Sequence, residues 1–241
     1  MHNDLFIKKI SLDQESIPNH NIYPFNIPVI SNLKEINLTS NVTFLVGENG
    51  IGKSTLIEAI ATSCGLNPEG GTQNFMFSTR ETEYILSDYI KIDHFQRKVE
   101  TMFFLRAESF YNVATEIEKL GVWGYGPRSL HSCSHGESFI QLIQNRFTKN
   151  GLYILDEPEA ALSPSRQMTL LCLINELAHQ GSQFIIATHS PILISYREGT
   201  ILDLNNNFKE TKYEDTEIYQ IYRMYLNEPL NMQKRLFDED I

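Results

Sequence analysis

Cysteine is scarce in this chain of 241 residues: Cys64, Cys133 and Cys172 form no CxxC pair, and three thiols cannot complete a disulfide framework. A reducing interior is the simplest home for them, so a cytoplasmic location is expected. The first residues offer no basic start followed by a continuous apolar stretch, and no apolar run approaches the roughly 20 residues that span a bilayer. Neither a secretory leader nor an integral membrane segment is expected. Positive charge is also in deficit: 20 Lys and Arg face 30 Asp and Glu, for a net charge of -10 and a pI near 5.2. Such a field repels phosphate backbones, so bulk charge does not support nucleic-acid binding, which would need a local basic patch. No heptad run, repeat, linker or low-complexity tract occurs. A coiled-coil arm is therefore not expected between Ser54 and Ser134. No appended nuclease domain is expected after His189.

What is present is ordinary globular composition, 41% apolar and 21% charged, at a length that fits one large domain over residues 1–241. Residues 5–12 alternate apolar with polar and read as an edge strand, whereas residues 42–46 are a short buried one. A helix follows from Lys53 to Cys64, with Gly65 as its stop. Residues 66–100 suggest only short strands and connections, an insertion of uncertain form. A strand is expected at 101–105. Phe110, Val113, Ile117 and Leu120 then have helical spacing ahead of the turn Gly121, Gly124, Gly126, Pro127, giving a helical lobe over about 109–150. Phe139, Ile140, Ile143 and Phe147 share a helical face and run into a buried strand at 152–155. Pro164 suits the first turn of the next helix, Gly181 its end, and 184–187 another buried strand. A hairpin is expected across Asn205-Asn206-Asn207, and Ile218, Ile221, Tyr222 and Tyr225 mark a last helix whose apolar face is core or partner surface. Asp238-Glu239-Asp240 reads as a solvated tail. Strands alternating with helices imply an α/β fold with a mostly parallel core sheet.

Three motifs carry chemistry. Gly47-Glu48-Asn49-Gly50-Ile51-Gly52-Lys53-Ser54-Thr55 fits GxxxxGK[ST] between a strand and a helix. Its glycines let successive N–H groups turn toward phosphates, the helix N-terminus adds partial positive charge, Lys53 would hold the β and γ phosphates, and the Ser54 hydroxyl would ligate Mg²⁺. An apolar strand ends in Asp156-Glu157, which places Asp156 to reach Mg²⁺ and Glu157 to polarise an attacking water. His189, after the strand at 184–187, emerges at the same edge and could contact the γ-phosphate or the water. The segment His131-Ser132-Cys133-Ser134-His135-Gly136-Glu137 leaves three readings open: phosphate binding through Ser134 and Gly136, a metal site at His131, Cys133 and His135, or a helix cap by Ser134.

In this order the motifs resemble the ABC-type ATPase superfamily, nearer its SMC-like and DNA-repair-type branch than its transporter branch. The whole chain is similar to small standalone bacterial ATPases through Tyr23-Pro24-Phe25-Asn26, the phosphate loop, Phe104-Leu105-Arg106-Ala107-Glu108-Ser109 and Ser134-His135-Gly136-Glu137-Ser138. The resemblance implies a P-loop NTPase fold with an antiparallel N-terminal β portion and a small helical lobe. It makes Ser134 to Glu137 the signature loop, with His135 in place of the usual first glycine, and Glu159-Ala160-Ala161-Leu162-Ser163 the loop between subunits. Tyr23 or Phe25 would stack on adenine, the alternative being core packing. Glu108 lies nearest the place of a Gln that helps hold Mg²⁺. The implied cycle is a head-to-tail homodimer in which ATP on Gly47 to Thr55 is capped by Ser134 and Gly136 of the other subunit. Hydrolysis through Glu157, His189 and Lys53 then switches an unidentified effector, with nucleic acid one candidate for what that effector acts on. A transporter's ATP-binding subunit, or a binding module with little hydrolysis, are the alternatives.

Overall fold

The computed structural model describes residues 5–71, 84–94, 97–110 and 135–237. Its centre is a six-stranded sheet in the order β5-β6-β7-β3-β8-β9. The strands are β3 (Val42–Val46), β5 (Thr101–Arg106), β6 (Gly151–Asp156), β7 (Gln183–Ala187), β8 (Thr200–Asp203) and β9 (Lys209–Thr211). The first five in that spatial order run parallel, and β9 closes the edge antiparallel. Every residue of β3, β6 and β7 is buried, as expected where both faces of a parallel sheet are covered.

Alternation along these strands divides the core into two layers. Leu45, Phe104, Ile154 and Ile185 face α2 (Lys53–Ser63) and the N-terminal segments. Phe44, Phe103, Tyr153 and Phe184 face α3 (His135–Arg146) and α4 (Pro164–His179). On that second side Phe147 stacks flat on Tyr153 at 3.9 Å between ring centroids. The phosphate-loop helix thus grips one face, and the helices flanking the acidic strand grip the other.

β1 (Ile7–Leu12) corrects the expected edge strand: it is the middle strand of a separate antiparallel sheet, between β2 (Glu35–Asn37) and β4 (Ile90–His94). One-face burial produces alternation whether a strand lies at the edge or the centre of a sheet. Buried Gln183 ties the two sheets together, accepting from the Phe6 and Ile7 amides at 2.9 Å and donating to the Ile7 carbonyl at 2.9 Å. The uncertain stretch 66–100 supplies β4, with residues 72–83 and 95–96 outside the described residues. So are residues 111–134, which hold most of the helical pattern and the glycine turn expected there, and the acidic tail. α1 (Pro28–Ser31) is one turn that packs its Val29 and Ile30 into the core. At the far end α5 (Glu217–Asn227) and α6 (Pro229–Phe237) bury no residue. Of the last helix's apolar stripe, Ile218 packs half-buried against the core, while Ile221, Tyr222 and Tyr225 are exposed. Among the described residues no helix is long and apolar enough to cross a membrane.

Candidate functional site at the carboxyl edge of the sheet

The phosphate loop leaves β3 at Val46 and enters α2 at Lys53. Gly52 turns the chain with φ +109°, where a Cβ would sit 2.6 Å from Ile27 Cγ2 and 2.8 Å from Val29 Cγ1. Only glycine meets both demands. The buried Lys53 ammonium folds back across the loop, donating to the carbonyls of Gly47 at 3.0 Å and Glu48 at 2.9 Å. Burial draws its pKa down, opposed by the charges of Glu157, Asp156 and Glu159. The Glu48 amide donates to Asn205 Oδ1 at 3.3 Å, so the β8–β9 hairpin props the loop from the side.

Asp156 and Glu157 end β6 and part at once. Asp156 turns inward, where its Oδ1 accepts from the Ser54 hydroxyl at 3.2 Å and its Oδ2 lies 3.2 Å from Arg106 Nε. Burial dominates its titration and pushes its pKa up to about 6, even though Arg106 and Ser54 pull it down. Glu157 has left-handed backbone angles, φ 46° and ψ 51°, an uncommon conformation for a residue with a side chain. Its amide still donates to the Ala187 carbonyl at 2.9 Å, and its carboxylate lies 3.7 Å from His189 Nε2. Burial first, then the Lys53 charge, lowers the His189 pKa and keeps its imidazole neutral at pH 7. Its backbone amide is held by Glu159 Oε1. His189 Nε2 and Glu159 Oε2 are buried without hydrogen-bond partners.

Beside these groups lies an open cavity of about 490 Å³, lined by Gly47 to Asn49, by Glu157, Glu159 and His189, and by Ile221 and Tyr222 of α5. The fold therefore assembles Gly47 to Thr55, Asp156, Glu157 and His189 at one edge. Glu108 is exposed just past β5, yet its charge is felt at Asp156 and Arg106. Phe25 requires a correction: it is 1% exposed and meets Tyr89 edge-on at 5.1 Å, so neither ring face is free for adenine. Core packing wins there, while Tyr23 is 59% exposed. Ser134 and the side chains of His131, Cys133 and His135 lie outside the described residues. Gly136 packs where a Cβ would meet Arg166 Nη1 at 2.8 Å and the Ala161 carbonyl at 2.9 Å. Neither contact belongs to the cavity wall.

Sequence reasoning gave no site role to Arg106, placed Asn205 only in a hairpin turn, and read Glu159 only as part of the loop between subunits. Arg106 stood inside a quoted motif, but its partners depend on strand register. The donor set fits Mg-ATP: two oxygen donors, Ser54 Oγ and Asp156 Oδ1, lie together, and His189 Nε2 is aimed without a partner. Among the described residues no group of three or more His, Cys, Asp or Glu could hold a metal by itself, so the metal's remaining ligands would come from phosphate and water.

Comparison with known proteins bears on the family. The sequence profile of the family described as "ABC transporter" matches residues 33–160, and an AAA-domain profile matches residues 130–195. The energy-coupling factor transporter ATP-binding protein EcfA2 of Methanospirillum hungatei is 24% identical over 69% of this chain and 46% of its own length. EcfA of Methanothermobacter thermautotrophicus is 25% identical over 76% of this chain and 65% of its own. The chain thus spans about half to two thirds of these two relatives. Among solved structures, CbiO1 of Clostridium perfringens, described as part of the ABC transporter complex cbiONQ, aligns over 97% of this chain and 99% of its own at 17% identity, with a TM-score of 0.48.

Proposed function

The chain belongs to the ABC transporter family of P-loop ATPases, and from that premise we propose that it binds Mg-ATP at the carboxyl edge of its six-stranded sheet and hydrolyses it as one half of a dimer. The observation that carries the reading is the convergence of Lys53, Ser54, Asp156, Glu157 and His189 at one edge of the sheet, where Glu157 and His189 also border the cavity. Lys53 and the amides of residues 47–55 hold the phosphates, displacing the ammonium from the Gly47 and Glu48 carbonyls. Ser54 and Asp156 hold the metal, which when bound neutralises charge on the phosphate oxygens. Glu157, turned away from Asp156, takes the proton of the attacking water. The neutral His189, beside Glu157, orients that water or the terminal phosphate.

Gly136 supports the dimer. Its contacts are with Arg166 and Ala161 and not with the cavity of its own chain, so a phosphate contact from the signature loop needs a second copy. The named roles of the relatives, two transporter ATP-binding proteins, favour a membrane transport partner over an effector on nucleic acid, and the net charge of -10 points the same way. The test is solution mass by light scattering of Glu157→Gln with and without Mg-ATP. A doubling with nucleotide is expected. A constant mass while ATP binds would remove the shared-site half of this reading.

A further inference from the structure

Arg106 ends β5 directly opposite Asp156 in parallel register. Its Nη1 donates a 2.7 Å hydrogen bond to Glu58 Oε2 on α2, and the side chains of Arg106, Glu58 and Asp156 are only 21%, 10% and 4% exposed. Toward Asp156 the arrangement is looser. Nε lies 3.2 Å from Oδ2, yet it is buried with no hydrogen-bond partner, so that contact is an undirected attraction of charges. The guanidinium is thus anchored on Glu58 and lends its charge to Asp156. A carboxylate as buried as Asp156 requires a counter-charge, and the structure supplies one without any metal. The remaining oxygen, Oδ1, is the one that meets the Ser54 hydroxyl.

We propose that Arg106 is a resident counter-ion for Asp156, a positioning residue that keeps free Mg²⁺ off the ATP-free site so that metal enters only with the phosphates of a nucleotide. This rests on the reading of Ser54 and Asp156 as the metal side of the ATP site. A guanidinium beside Asp156 repels a divalent cation approaching alone. A triphosphate brings the negative charge that offsets this repulsion, and the weak Nε contact can be given up while the Glu58 anchor stays. Glu58 sets the strength of the device, because it shares the guanidinium with Asp156.

The test is a titration of Mn²⁺, as a paramagnetic stand-in for Mg²⁺, into the full chain without nucleotide, for the unmodified protein, Arg106→Gln and Arg106→Gln/Asp156→Asn. The unmodified protein is expected to bind Mn²⁺ weakly, Arg106→Gln at least ~10-fold more tightly, and the double variant to lose that gain. A second arm uses Glu58→Gln, which removes the carboxylate that shares the guanidinium with Asp156. It should raise the Mg²⁺ concentration for half-maximal binding of a fluorescent ATP by ~3-fold or more, while metal-free nucleotide affinity stays within about twofold. A merely structural ion pair would not separate those two readouts. A folded Arg106→Gln with no gain in Mn²⁺ binding overturns the proposal. If that variant does not fold, an unchanged Mg²⁺ requirement in Glu58→Gln overturns it instead. Failure of the unmodified protein to bind ATP with Mg²⁺ would sink the underlying site reading, whereas normal Mg-ATP binding with unshifted variants sinks only the role of Arg106.

Discussion

At the carboxyl edge of the six-stranded sheet Lys53 and Asp156 are charged and at most 4% exposed, whereas along α5 and α6 the apolar Leu226, Leu230 and Phe237 are 70%, 72% and 73% exposed. Each region inverts the usual partition of residues between core and surface. At the sheet edge, the inversion is sustained by counter-charges and hydrogen bonds that the fold supplies: Arg106 and Ser54 for Asp156, two loop carbonyls for Lys53. At the C-terminal helices no burial accompanies it. The difference separates what the fold depends on from what it merely carries. Charge is enclosed where the strands converge, and the terminal helices contribute one cavity wall but no fully buried residue.

Substitutions in the two regions should differ most in stability. Phe44→Ala empties a fully buried site on β3 and is expected to cost about 3–5 kcal/mol in urea denaturation, while Leu230→Ala should stay within about 0.5 kcal/mol. Comparable losses from both would break the comparison. Nucleotide binding comes next. Lys53→Ala should weaken ATP at least ~100-fold by fluorescence titration, and Tyr222→Ala, on the α5 wall, no more than ~5-fold.

Acidity sharpens the contrast further. Because burial holds the Asp156 pKa near 6, the carboxylate takes up a proton as pH falls through that value, and a proton there excludes a metal. The Mg²⁺ concentration for half-maximal ATP binding should rise ~3-fold or more between pH 7.5 and pH 5.5. Removing residues 228–241 should leave that ratio unchanged, and a ratio of one in the full chain would show that Asp156 is not the group involved. Gly136→Ala should act on stability alone. Its new Cβ meets Arg166 and the Ala161 carbonyl, costing about 1–2 kcal/mol of stability without altering metal-free ATP affinity.

Much of the sheet was legible because β3, β6 and β7 are short, mostly apolar runs, and the site residues follow directly from their ends. β4 was not legible. Ile-Lys-Ile-Asp-His is short and half polar, and its partner β1 lies about 80 residues away in the chain. The same non-locality hid Arg106, whose role follows from a register between strands 50 residues apart. Phe25 misled for a different reason: an aromatic at the interval expected of an adenine-stacking residue looks the same in sequence whether its ring is free or packed on Tyr89. In α5 the apolar spacing predicted a helix correctly, but periodicity is silent on whether anything covers the stripe.

The most direct measurement is phosphate release from Mg-ATP by the unmodified protein and by Glu157→Gln, with ATP affinity measured on both. The account predicts turnover by the unmodified protein, a fall of at least ~100-fold in the variant, and affinities within a few-fold of each other. Equal turnover in the two proteins, or no turnover in the unmodified one despite tight Mg-ATP binding, would contradict the assignment of Glu157 and with it the hydrolytic site.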